Sequence, residues 1–292
     1  MEPLGEHATA KADVVVVIAH PDDEIFVSGT ICLCTESGLT VTLVCVTDGQ
    51  AGARCLLYDR SCLQLKDVRR RELLLSAWVL GIREVIFLEQ EDSADVDWRQ
   101  LDAIDRDAVI GRLERVMRQS TPRLILTHGP LGGYGHSAHR SVHACVMAAA
   151  RNSDFAGSIF SFCGKSQGAF FSWHFDQPST ICVDARNFDR RRAASLNYHQ
   201  TQSEYFLSPY FPRTFRKTAS ALCGYAMAWT EWGRKRVPIG TAERFFMKYP
   251  VEGLVLQQPP AGGRPHFFLE QFPGDKRIQG TGGAIAPRSK TT

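Results

Sequence analysis

Val14 to Ala19 is an unbroken apolar run behind Asp13, β-branched through Ile18 and without polar alternation. A strand covered by helices on both faces has that pattern. Ile25 to Ser37 predicts a helix ended by Gly38, and Thr40 to Thr47 a second buried strand stopped by Asp48-Gly49. Arg69 to Leu80 predicts a helix closed by Gly81, Val85 to Leu88 a third strand, and Ala103 to Gln119 a helix closed by Thr121-Pro122. Leu124 to Thr127 predicts a fourth strand, followed by a glycine-rich loop and a helix from about His139 to Ala150. Alternating strands and helices imply an α/β, Rossmann-like, mostly parallel sheet with helices on both faces. Ligands of such sheets bind beyond the carboxyl ends of the strands. The segments bearing His20 and His136/His139 follow the first and fourth strands, which puts both on that rim.

Past Arg151 the pattern weakens. Ile181 to Val183 is strand-like, Arg190 to Gln202 can form a helix, and aromatic residues crowd 205–249 between prolines. The expected organisation is a single domain over 13–256. Within it, 13–150 is the α/β core and 151–256 a smaller C-terminal cap that sets substrate choice. Residues 280–292 are expected to be a disordered tail.

Composition changes this picture little. The 292 residues are 44% hydrophobic and 22% charged, as in a globular protein with a sizeable core. The first apolar run is six residues long, whereas a membrane helix needs roughly 20. No integral membrane segment is therefore expected, and the mixed-charge N-terminus predicts a cytoplasmic protein. A net charge of +3 does not imply nucleic acid. Charge is unevenly spread: eight acids accompany two arginines over 89–107, and twelve Lys/Arg accompany four acids over 186–248. The basic stretch is either a solvated surface or a face for an anionic substrate or peripheral membrane contact. Nine cysteines without a C-x-x-C pair predict reduced, mostly buried thiols.

The chemistry concentrates in His20-Pro21-Asp22-Asp23-Glu24, directly after the first strand. Adjacent carboxylates repel unless a cation or proton lies between them. A divalent metal resolves this, with His20 and Asp23 as ligands and Asp22 left to act on a metal-bound water. The plainer alternative is a polar turn that caps the following helix. The second segment, Gly132-Gly133-Tyr134-Gly135-His136-Ser137-Ala138-His139, adds histidines on the same rim, with His143 one turn further on. It matches neither phosphate-binding glycine pattern. Two histidines and a carboxylate leave coordination positions open, as in hydrolytic zinc sites and in non-haem iron oxygenases. The spare acid and the α/β pattern favour hydrolysis.

The chain resembles the LmbE/PIG-L family of metal-dependent N-acetylglucosaminyl deacetylases. The likeness rests on Ala19 to Glu24, Thr47-Asp48-Gly49, Arg69 to Leu73, Leu80-Gly81-Ile82, Phe87-Leu88, Gly132 to His139 and Tyr198-His199-Gln200-Thr201-Gln202. Around Gly133 to His136 it is similar to the mycothiol-pathway deacetylases and amidases. The resemblance implies His20, Asp23 and His139 as ligands of Zn2+, with Fe2+ as the alternative. It implies Asp22 as general base, His136 and Tyr134 as stabilisers of the oxyanion, and Arg69 as a substrate contact. The implied substrate is an N-acylated amino sugar or its conjugate. The alternatives are an amidase of a thiol conjugate or antibiotic precursor and a non-catalytic sugar-binding homologue; oligomeric state is not implied. Two positions depart from the family: Ala138 replaces the aspartate that supports the first histidine, and Gln50 stands where glutamate is common.

Overall fold

The computed structural model describes residues 10–52, 64–92, 104–162, 177–202, 246 and 250–280. Its strands are β1 (Val14–Ile18), β2 (Val41–Thr47), β3 (Glu84–Gln90), β4 (Leu124–Thr127), β5 (Ser158–Phe162), β6 (Ile181–Asp184), β7 (Val251–Gln258) and β8 (Ile278–Gly280). Its helices are α1 (Ser28–Glu36), α2 (Leu65–Leu80), α3 (Arg106–Ser120), α4 (Gly132–Gly135), α5 (Ser137–Asn152), α6 (Asp189–Tyr198) and α7 (Phe267–Gln271). All eight strands form one sheet in the order β3-β2-β1-β4-β5-β7-β6-β8. The half from β3 to β5 is parallel, and β7, β6 and β8 add to it antiparallel.

The unbroken apolar run becomes the central strand because each of its faces meets a different apolar layer. Val14, Val16 and Ile18 pack with Ile31 of α1 and Leu73 and Leu80 of α2. Val15, Val17 and Ala19 pack with Leu113 and Met117 of α3 and Val142 and Val146 of α5. Each fully buried valine or isoleucine contributes about 1.5–3 kcal/mol, so a strand without polar residues is stable only where both layers exist.

Several boundaries differ from expectation, for physical reasons. The helix expected from Ile25 is split into a 3₁₀ turn, Asp23–Val27, and α1. No side chain caps either start locally; instead the Glu252 carboxylate of β7 accepts the Gly29 and Thr30 N–H groups, each at 2.7 Å. Helix α2 starts at Leu65, four residues before the expected Arg69, and ends at Gly81 with φ 75° as expected. Helix α6 stops at Tyr198, because His199 and Thr201 turn inward onto buried carboxylates.

The region assigned to a cap supplies β5, β6 and β7 to the same sheet, so the sheet does not divide at residue 150. The aromatic stretch 205–249 lies outside the described residues, except for buried Phe246 beneath the Arg192 guanidinium. Gly280, assigned to the tail, pairs with Ile181 in β8; the rest of that tail lies outside the described residues. Most of the basic stretch is likewise outside them. Within 186–192, Arg186 pairs with Asp184, Arg191 reaches Val79 O and Thr35, and Arg192 pairs with Glu252. Those three arginines serve the fold. Cys32, Cys34, Cys45 and Cys145 are buried thiols, as expected, and no described helix is long and apolar enough to cross a membrane.

Candidate active site

The order β3-β2-β1-β4-β5 reverses direction between β1 and β4, and open α/β sheets bind ligands outside that crevice. His20 follows β1 by one residue beyond Ala19, and His128 follows β4 directly. The end of β1 is pinned on both sides. Ala19 N–H donates to His128 Nε2 at 3.0 Å, and Ala19 O accepts the Thr47 N–H and hydroxyl, each at 2.8 Å.

His20, Asp23 and His139 bring one donor atom each to within 4.8 Å of one another. His139 Nε2 lies 3.3 Å from His20 Nδ1 and 3.2 Å from Asp23 Oδ1, while Asp23 Oδ2 lies 3.3 Å from His20 Nδ1. Asp23 Oδ2 also accepts the His20 backbone N–H at 2.7 Å, which fixes the carboxylate's rotation. The His139 Nδ1 side faces Gly132 O at 3.2 Å, so Nδ1–H donates there and Nε2 presents its lone pair to the cluster. Converging imidazole and carboxylate donors, buried and tautomerically set, fit a divalent cation.

The electrostatics agree. Burial opposes charge on Asp23, but His139 and His128 outweigh it and hold the carboxyl well below its usual range. Burial likewise opposes charge on His20, yet Asp23 and Asp92 raise it to about 10. Without a metal, this pocket keeps a proton where a cation would sit.

Asp22 is placed differently. Its backbone has φ 131°, a region that residues with a Cβ rarely adopt. Its carboxylate pairs with Arg69 at 3.1 Å, but burial dominates and raises its pKa to about 7. Arg69, expected to contact substrate, is only 3% exposed, and it donates to Gly49 O at 2.7 Å and Pro21 O at 2.6 Å. Gly49 explains the Thr47-Asp48-Gly49 motif: at φ 66°, a Cβ there would stand 2.6 Å from the Arg69 guanidinium and 2.9 Å from the Pro21 ring.

His136 stacks on His139 with ring centroids 4.6 Å apart and meets His20 edge-on at 4.7 Å. Burial, then the neighbouring His20 and His139, push its pKa down to about 2. Tyr134 belongs to α4 beside it. Ala138 packs into the apolar layer with Val142 and Val146.

Two residues of the site escaped the sequence reading. His128, 3% exposed, stacks on His139 at 3.9 Å and approaches Asp23 Oδ2 to 3.3 Å. Burial first, then His139, depress its pKa to about 3, so it is a neutral ring. Asp92, beyond β3, lies 3.6 Å from His20 Nε2. The one available signal was position, since each directly or closely follows a strand on the same rim.

A buried three-donor cluster at the crevice of a parallel sheet, with a separate acid beside it, defines the class as an α/β protein whose site could hold a metal ion. Residues 15–150 match the family model described as PIG-L, GlcNAc-PI de-N-acetylase. The chain is 32% identical over 172 residues to a 1D-myo-inositol 2-acetamido-2-deoxy-α-D-glucopyranoside deacetylase of Kineococcus radiotolerans. That match covers 49% of this chain and 47% of the relative, so the chain spans about half the relative's length. Among solved structures, a 4-carboxy-2-hydroxymuconate hydratase of Pseudomonas putida KT2440 is similar at TM-score 0.57 and 20% identity, covering 86% of this chain and 98% of its own. The N,N'-diacetylchitobiose deacetylase of Pyrococcus horikoshii is similar at TM-score 0.52 and 22% identity, covering 84% of each. These two likenesses show the mixed-sheet α/β fold.

Proposed function

We propose that this protein is a zinc-dependent hydrolase that removes an N-acyl group, first of all acetyl, from an amino sugar or its conjugate. The observation that carries the reading is Asp22: a half-buried carboxyl beside, but separate from, the His20/Asp23/His139 donors, with its pKa in the metal-free pocket raised to about 7. A base works best when its pKa lies near the operating pH. The family match over 15–150 and the deacetylase relative favour amide hydrolysis. Fold alone does not, because a hydratase shares it.

His20, Asp23 and His139 would hold the ion, with iron as an alternative to zinc. A divalent cation there supplies a polarised amide carbonyl and a water of lowered pKa. Asp22 accepts the proton of the attacking water as its oxygen bonds to the carbonyl carbon. His136, kept neutral, donates a hydrogen bond to the developing oxyanion, together with Tyr134. A neutral imidazole is a poor proton source, so Asp22 returns its proton to the nitrogen as the C–N bond breaks. Acetate and a free amine leave. Arg69 then acts on Asp22 and its loop, because its donors already point there.

The test is a panel of N-acylated amino sugars incubated with metal-loaded protein and followed by mass spectrometry and acetate release. Asp22→Asn should keep its metal and lose about 10²–10⁴-fold in turnover, the scale of general acid–base catalysis. No acetate from any substrate, or full turnover in the Asn variant, sinks the reading.

A further inference from the structure

The Tyr198-His199-Gln200-Thr201-Gln202 stretch stands out in the sequence, yet none of its residues is needed to hold a cation or contact the reacting amide. In the structure it is bound to the base. Asp22 occupies a strained backbone conformation, φ 131°, that persists only if its surroundings enforce it. The enforcing contact on its own main chain is Asp22 N–H donating to Glu24 Oε2 at 3.1 Å. Glu24 can accept there only if its carboxylate is fixed. It is 0% exposed, and its other oxygen, Oε1, accepts from Ser76 Oγ at 2.5 Å and from His199 Nε2.

His199 is also 0% exposed, and the turn that carries it is anchored on α2. Thr201 donates its N–H and hydroxyl to the two oxygens of Glu72, at 2.9 and 2.6 Å. Arg69, Glu72 and Ser76 are spaced i, i+3 and i+7, one face of the helix. That single stripe holds the Asp22 carboxylate, the 199–202 turn and the Glu24 carboxylate. A buried ion pair used only for stability would have no reason to spend one of its oxygens on a strained neighbour's N–H.

We propose that Glu24 and His199 form a positioning pair, braced by the Arg69–Glu72–Ser76 stripe, that sets the geometry of Asp22. This rests on the reading of Asp22 as general base. The turn after α6 thus orients the base without touching substrate.

The test compares His199→Phe, which removes the donor, with His199→Gln, whose amide can replace Nε2–H. Both are made in the full-length, zinc-loaded protein. H199F should lose about 10²-fold in kcat, the cost of a misplacement near 1 Å, with KM and zinc stoichiometry little changed. H199Q should recover most of that loss. The crystal structure of zinc-bound H199F should show Asp22 relaxed to negative φ or its carboxylate turned off Arg69. Unchanged kcat, zinc lost in step with activity, or no rescue by Gln overturns the proposal. If H199F does not fold, Ser76→Ala removes the second bond to Glu24 Oε1 and should lower kcat at constant KM; an unaffected kcat there also overturns it. A wild-type protein that hydrolyses none of the amides would sink the hydrolase reading instead. The Asp22 conformation in H199F would still decide the pair.

Discussion

His128 shows how much of the centre is built by residues that would not touch the ion. Its Nε2 accepts from Ala19 and lies against Asp23 Oδ2, while its ring stacks on His139. His128→Ala should therefore leave His20, Asp23 and His139 in place and still lower zinc affinity about 10–100-fold, as measured by competition with a chromophoric chelator. Unaltered affinity would show that Asp23 is oriented without it. Ala138 teaches the reverse lesson. Sequence alone invites restoring an aspartate there, but the Cβ packs among Val142, Val146 and the inner face of β1. Ala138→Asp should destabilise the protein by about 3 kcal/mol or more, because it puts a carboxylate into that apolar layer. Denaturant unfolding of the metal-loaded variant measures it. His20, Asp22, Asp23 and His139 stood out as candidates because each sits in a short motif that crowds acids and histidines at a strand end. His128 and Asp92 were not, since a single histidine or aspartate after a strand carries no pattern, and only the fold brings it to the rim.

At the scale of elements, β1 to β4 and β6 were readable, and β5, β7 and β8, which extend the sheet past the parallel half, were not. β1, β2 and β4 are apolar and β-branched runs, so their identity follows from composition alone. β5 is only five residues long and carries two serines, Ser158 and Ser161, and β7 opens with Val251-Glu252-Gly253, a sequence that reads as a turn. Glu252 is there for a contact 223 residues away: it caps α1 and pairs with Arg192, 2% exposed, at 3.3 Å. The split before α1 has the same cause, as a remote carboxylate does what a local cap would have done. Glu252→Ala should cost about 3–5 kcal/mol, because it leaves Arg192 buried without that partner and frees two helix N–H groups. Loss of far less in chemical denaturation would mean that Asp189, 3.7 Å from Arg192, takes over the charge.

For the molecule as a whole, the centre ties stability to pH. Stripped of metal, His20 has a folded pKa near 10, above the ordinary 6.5. A raised pKa means that the folded state holds its proton more tightly, so this stabilisation is complete below pH 6.5 and declines as pH rises towards 10. Asp22, raised to about 7, loses its contribution between about 3.8 and 7, in the same direction. Chelated protein should therefore show a Tm that falls from neutral to alkaline pH. The rise in Tm on adding zinc should grow over that interval, because the ion displaces the proton. Calorimetry with and without chelator from pH 6.5 to 9.5 checks both. A zinc effect independent of pH would mean that His20 is not a ligand.

The strand order also governs how the chain can be made. β7, residues 251–258, lies between β5 and β6, both formed from sequence that precedes it. A ribosome delivers the parallel half, the His20 to Glu24 segment and the His136/His139 segment long before it delivers β7. Until then β5 presents an unpaired edge, and α1 has no acceptor at its N-terminus. Nascent chains with open edges are prone to join one another. Synthesis thus passes through a stage in which His20, Asp23 and His139 all exist but the sheet that holds them is open.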